Sequence, residues 1–227
     1  MSYSFMVSPG GFGGRGADMA MVAADFDGDG KLDIVLHSLA DDGGPERLLF
    51  FKGNGDGTFQ TPTRASLGLS TVTDFKAADL NGDGKMDLVA ATGSGPSAGA
   101  YVLLGNGDGT FQPPTFYGVG GGPRAAVAIA DLNGDGIPDL LVEGQGAGLA
   151  VFPGNGDGTF GLILWFAIGS MQDVDESIGV ADLNGDGMPD VVAGRLFSGP
   201  DLDFLTVLIN NSSPPATAPL KNANNRR

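Results

Sequence analysis

One short string governs this chain. Ala24-Asp25-Phe26-Asp27-Gly28-Asp29-Gly30 returns as ADLNGDG at residues 78–84, 130–136 and 181–187. The first Asp of each copy (Asp25, Asp79, Asp131, Asp182) follows the last by 54, 52 and 51 residues. A period of this size encodes one supersecondary unit per repeat, so the same unit is built four times. A second string, GNGDGTF, alternates with the first at 53–59, 105–111 and 154–160, and Ile209-Asn210-Asn211 takes its place in the fourth repeat.

Between the two strings lie apolar runs of four to six residues rich in Val, Leu, Ile and Phe, bounded by Gly, Asp or Asn. They are too short for helices and lack a 3.6-residue period, so they read as strands. Each unit gives four: one before the acidic string, one after it, one before GNGDG and one after it. The expected fold is all-β, a β-propeller of four-stranded antiparallel blades. The fourth repeat stops after its third strand, while Phe5-Met6-Val7 matches the outer-strand position of the other repeats. The N-terminal strand is therefore expected to complete the last blade and close a ring of four, leaving no long unpaired edge. Residues 1–211 form this unit. Residues 212–227, rich in Pro, Ala, Asn and Arg, read as a flexible tail or linker.

The acidic strings are more than turns. In Asp79-Leu80-Asn81-Gly82-Asp83-Gly84-Lys85-Met86-Asp87, oxygen-bearing side chains fall at loop positions one, three, five and nine. Gly84 permits a sharp turn, and the Lys85 carbonyl at position seven can face inward. The other loops, 25–33, 131–139 and 182–190, supply Asp25, Asp27, Asp29, Lys31 and Asp33; Asp131, Asn133, Asp135, Ile137 and Asp139; and Asp182, Asn184, Asp186, Met188 and Asp190. Ca²⁺ takes six to eight oxygens in a flexible cage, whereas Mg²⁺ demands a compact octahedron and transition metals prefer nitrogen or sulfur. The pattern thus predicts one Ca²⁺ per loop, four per chain. An EF-hand requires a bidentate Glu at position twelve; here that position holds Leu36, Ala90, Val142 and Ala193.

These motifs, over residues 4–210, resemble the FG-GAP/VCBS repeat family, whose blades also build integrin α-subunit heads and some fungal and bacterial lectins. The resemblance implies that the four loops are Ca²⁺ sites between the first and second strands of each blade. Propellers of that family commonly carry seven or eight blades, and four repeats depart from this number.

Composition narrows the function. The net charge of −15 opposes nucleic-acid binding, which needs clustered Lys and Arg. No apolar run is long enough to insert in a membrane. The chain has no Cys and a single His, His37, so thiolate chemistry and paired-His sites are absent. His37 reads as a packing residue, Trp165 as a packed outer-strand aromatic, and GNGDGTF as a tight hairpin with Phe59, Phe111 and Phe160 packing behind it. The pairs Asp41/Asp42 and Asp201/Asp203 lie in loops without a fixed partner, and no nucleophile–base pair emerges. The expectation is a non-enzymatic recognition or adhesion module, secreted or at the cell surface. Its protein or carbohydrate ligand docks on the varied loops that join second to third strands, 38–47, 93–99, 144–148 and 194–203, with Arg195 and Phe197 prominent. A secreted enzyme, or an accessory domain of one, is the alternative, and oligomerisation is left open. No signal peptide is visible.

Overall fold

A computed structural model of the protein describes residues 20–38, 47–65, 72–93, 98–120, 126–144, 148–167, 176–195 and 204–212. They form fifteen strands: β1 (Met21–Ala24), β2 (Asp33–Ser38), β3 (Arg47–Phe51), β4 (Thr63–Ala65), β5 (Val72–Ala78), β6 (Asp87–Thr92), β7 (Gly99–Leu103), β8 (Thr115–Gly118), β9 (Ala126–Ala130), β10 (Asp139–Gly144), β11 (Gly148–Phe152), β12 (Leu164–Phe166), β13 (Glu176–Ala181), β14 (Asp190–Arg195) and β15 (Phe204–Leu208). They pair antiparallel in four separate sheets, in the orders β1-β2-β3-β4, β5-β6-β7-β8, β9-β10-β11-β12 and β13-β14-β15. Each sheet is one repeat. The acidic loop joins its first strand to its second, and in the first three sheets the GNGDG turn follows the third strand.

The sheets stack face to face. Val35 and Leu48 of the first sheet pack with Phe75, Leu88, Ala90 and Leu103 of the second. The opposite face of the second sheet, through Val89, Ala91, Ala100 and Val102, meets Val127, Leu140, Val142 and Ala150 of the third. Leu141, Leu149 and Val151 of the third sheet then meet Val191 and Ala193 of the fourth. Alternation along a strand thus serves two cores at once: Leu88 and Ala90 face backwards, Val89 and Ala91 forwards. This is why β6 is buried at every residue and reads as a continuous apolar run. The first strands lie side by side in the sequence β1, β5, β9, β13. At the two ends of the stack apolar side chains stay exposed, Met21 on β1 and Leu205 and Val207 on β15.

Phe59, Phe111 and Phe160 each pair in a bridge with the first Gly of their own turn. Phe111 stacks edge-on against Phe26, and Phe160 against Tyr117, as expected of packing residues. His37 is buried, and its backbone N–H donates to the Ala20 carbonyl. Trp165 lies on the outermost strand of its sheet as expected, but it is 45% exposed rather than packed, since among the described residues β12 pairs with β11 alone. The expected N-terminal strand, Asp41/Asp42, Asp201/Asp203, Phe197 and most of the tail lie outside the described residues. Among the described residues, no helix is long and apolar enough to cross a membrane.

Candidate metal centre

The four acidic loops fold by one hydrogen-bond plan. In the second, the Asp79 carboxylate accepts the backbone N–H groups of Gly82 (2.8 Å), Asp83 (3.2 Å) and Gly84 (2.8 Å). Asn81 Oδ1 accepts the Asp83 N–H and Asp83 Oδ1 the Lys85 N–H, both at 3.0 Å. Gly82 and Gly84 adopt φ of 72° and 81°, a left-handed conformation that costs other residues about 1 kcal/mol or more. Asp131, Asn133 and Asp135 repeat the plan, as do Asp182, Asn184 and Asp186. In the first loop Asp25 accepts from Asp29 and Gly30, and Asp29 from Lys31.

This wrapping brings side-chain oxygens at positions one, three and five to one side of the loop. Asp25, Asp27 and Asp29 each offer a carboxylate oxygen within 4.8 Å of the others. In the remaining loops an Asn amide replaces the middle carboxylate on the same frame. The set contains oxygen only, without nitrogen or sulfur donors, and so fits a hard divalent cation.

Position nine lies deeper, beneath the loop and near enough to the outward acids for their charges to act on it. Asp33, Asp87, Asp139 and Asp190 begin the second strands and are buried. Asp87 Oδ2 accepts the Leu80 N–H (2.9 Å) and Oδ1 the Gly105 N–H (2.8 Å). Asp33 holds Phe26 and Gly53 alike, Asp139 holds Leu132 and Gly154, and Asp190 holds Leu183 and Asn210. Each position-nine carboxylate therefore ties its acidic loop to the turn after the third strand. Burial pushes the carboxyls of Asp33, Asp87 and Asp139 above the ordinary aspartate value, against these backbone bonds. Two outward acids shift the other way. The backbone bond from Lys85 holds Asp83 low, and that from Gly187 holds Asp182 low.

The turn explains its own glycine. A Cβ on Gly53, Gly105 or Gly154 would lie 2.1–2.3 Å from the carbonyl oxygen of Leu32, Met86 or Pro138, so the two loops touch backbone to backbone. In the fourth repeat Asn210 stands there instead, its Nδ2 donating to the carbonyls of Leu132 and Pro189. Inside the turn, Thr58, Thr110 and Thr159 each donate through N–H and hydroxyl to the Asp two residues earlier. This is a self-satisfied hairpin.

A model described as FG-GAP-like repeat matches residues 38–90 and 79–142. Residues 38–142 carry FG-GAP-like repeats. Loops 25–33 and 182–190 fall outside those two segments, yet they share the hydrogen bonds of the FG-GAP-like loops inside them. No curated protein matches the chain. Among solved structures, the crystal structure of the V. cholerae biofilm matrix protein Bap1 is similar at a TM-score of 0.39 and 21% identity, over 87% of this chain and 38% of that one. This chain therefore spans well under half the length of that protein.

One residue set against the first loop is not evident from the loop's sequence pattern. Lys52, just before the GNGDG turn, places its ammonium against Asp27 and 3.2 Å from Asp29. Burial pushes Asp29 up, but hydrogen bonds from Lys52 and Lys31 outweigh it and leave the carboxyl low. Hydrogen bonds to Asp27 and then Asp29 raise Lys52 in turn. The signal was present in the sequence: the equivalent residues in the other repeats are Leu104, Pro153 and Ile209, none of them charged.

Proposed function

We propose that this chain is a calcium-stabilised recognition or adhesion module, secreted or at the cell surface, whose four sheets are blades of a β-propeller. The observation that carries the calcium reading is the fourfold recurrence of one loop frame held by two left-handed glycines, with three carboxylates converging in its first copy. Asp25, Asp27 and Asp29 and their counterparts would hold the ion. The position-seven carbonyls of Lys31, Lys85, Ile137 and Met188 would complete the cage, as would the position-nine carboxylates, whose oxygens keep a second lone pair beside the backbone bond each accepts. Bound Ca²⁺ supplies local positive charge that draws the loop together. Filling four sites would move the formal charge from −15 to −7. Side-by-side first strands and face-to-face sheets support the propeller reading, with the N-terminal strand completing the fourth sheet. The partner, a protein or carbohydrate, docks on the loops opposite the acidic ones, since varied loops on a rigid scaffold are where recognition concentrates. Calorimetric titration with Ca²⁺ and Mg²⁺ tests the ion: four Ca²⁺ equivalents and weak Mg²⁺ heats are expected, and a heatless Ca²⁺ titration rejects it. A glycan array read in Ca²⁺ and in EDTA tests the ligand class.

A further inference from the structure

The first acidic loop differs from the other three in two linked ways. Position three is Asp27 where the others have Asn81, Asn133 and Asn184, and its Asp27–Asp29 pair is bridged by the ammonium of Lys52. In the third and fourth loops the Asn amide makes the corresponding bridge, Nδ2 of Asn133 to Asp135 and of Asn184 to Asp186, each at 2.9 Å. Only in the first loop is the bridge a full positive charge borne by a residue from another strand end. Lys52 is aimed there by the clamp already described. Gly53, its neighbour, donates to Asp33 at 2.8 Å, which pins the end of β3 over the loop.

An ammonium and a divalent cation cannot share the same carboxylate oxygens, because like charges at contact distance repel strongly where solvent screening is reduced. Asp27 is largely covered, its side chain only 8% exposed. We propose that Lys52 is a tethered competitor for the cation of the first loop, so that this loop fills last and does so by releasing Lys52. This rests on the calcium reading above. The extra carboxylate of Asp27 is then the counterpart of the extra lysine.

The loops can be read separately. The N–H groups of Gly30, Gly84, Gly136 and Gly187 each donate to the position-one Asp of their own loop, so their amide resonances report four sites in one calcium titration. In the native chain Gly30 should reach its midpoint at a Ca²⁺ concentration several-fold above the other three. In Lys52→Met that midpoint should fall about tenfold or more, the others staying in place. Lys31→Met is the control, since it removes an equal charge that pairs with Asp29 alone; Lys52→Gln serves if the Met variant misfolds. Gly30 filling with or before the others, or a Lys52→Met shift no larger than that of Lys31→Met, overturns the proposal. Silence at all four glycines overturns the calcium reading and this inference together, whereas ordinary responses at Gly84, Gly136 and Gly187 leave the calcium reading standing whatever Gly30 does.

Discussion

Asp87 and Gly105 are eighteen residues apart, and a 2.8 Å hydrogen bond from the glycine N–H to the buried carboxylate joins them. The same carboxylate holds Leu80 N–H with its other oxygen, so one side chain fixes both loops of its repeat. Asp87→Asn keeps one acceptor oxygen and turns the other into a donor facing a donor. It should cost about 2 kcal/mol, since a buried N–H loses a charge-assisted partner. Urea unfolding in EDTA measures this apart from any ion. An unchanged midpoint would show that the clamp contributes nothing.

Glycines of the turns should separate into two classes. Gly105→Ala would drive a Cβ to 2.2 Å from the Met86 carbonyl oxygen, and the loops must part; about 3 kcal/mol or more is expected. Gly57, at φ of +85° with nothing within 4 Å, should cost only about 1 kcal/mol as Ala. Melting temperatures of the two variants, compared side by side, check the ordering.

Acid should affect the calcium-free protein in two directions. Asp33, Asp87 and Asp139 have folded pKa values above the ordinary 3.8, so the folded state binds their protons first and stability rises as pH falls toward that value. Asp83, Asp108, Asp157 and Asp182 lie below 3.8, and their contribution is lost as pH falls through and below it. Stability in EDTA should therefore peak near pH 4, not near neutrality. A monotonic decline from pH 7 to pH 3 would contradict this.

Calcium should raise the melting temperature strongly. With Kd of ~10⁻⁴ M, ~1 mM Ca²⁺ contributes about 1.4 kcal/mol at each of loops two to four, roughly 4 kcal/mol together, with less from the first loop. That approaches the net stability of a small domain. Scanning calorimetry in Ca²⁺, Mg²⁺ and EDTA is the check. A melt indifferent to EDTA would remove the stabilising role.

If the N-terminal strand completes the fourth sheet, deleting residues 1–8 should bare the free edge of β15 and cause association or a lower melting temperature. A truncated chain that remains monomeric with an unchanged melt would leave the sheet three-stranded.

Much of this was legible because the repeat averages over local accidents. Four sheets, their strand order and the left-handed glycines at Gly28/Gly30 and their counterparts follow from two strings repeated in phase. Position nine was harder to read. An Asp in a calcium pattern suggests a ligand, and nothing local reveals that Asp33 also clamps, accepting the N–H of Phe26 with one oxygen and that of Gly53, twenty residues on, with the other. Lys52 was missed for a related reason: a lysine beside a turn ordinarily points to water, and only β3 pinned over the loop aims it at Asp27. Trp165 reads as an outer-strand residue and is one, but its apolar neighbours suggest packing where the ring stays 45% exposed.

Among the described residues, the strands of each sheet come from a single contiguous stretch of chain. Once the proposed N-terminal strand is drawn off β15, a pull on the two ends therefore loads four units in series. Under tension they should give way one at a time, each releasing on the order of fifty residues, roughly 170 Å of slack. The clamps of Asp33, Asp87, Asp139 and Asp190, which hold a loop to its turn within one unit, lie inside what must break at every step.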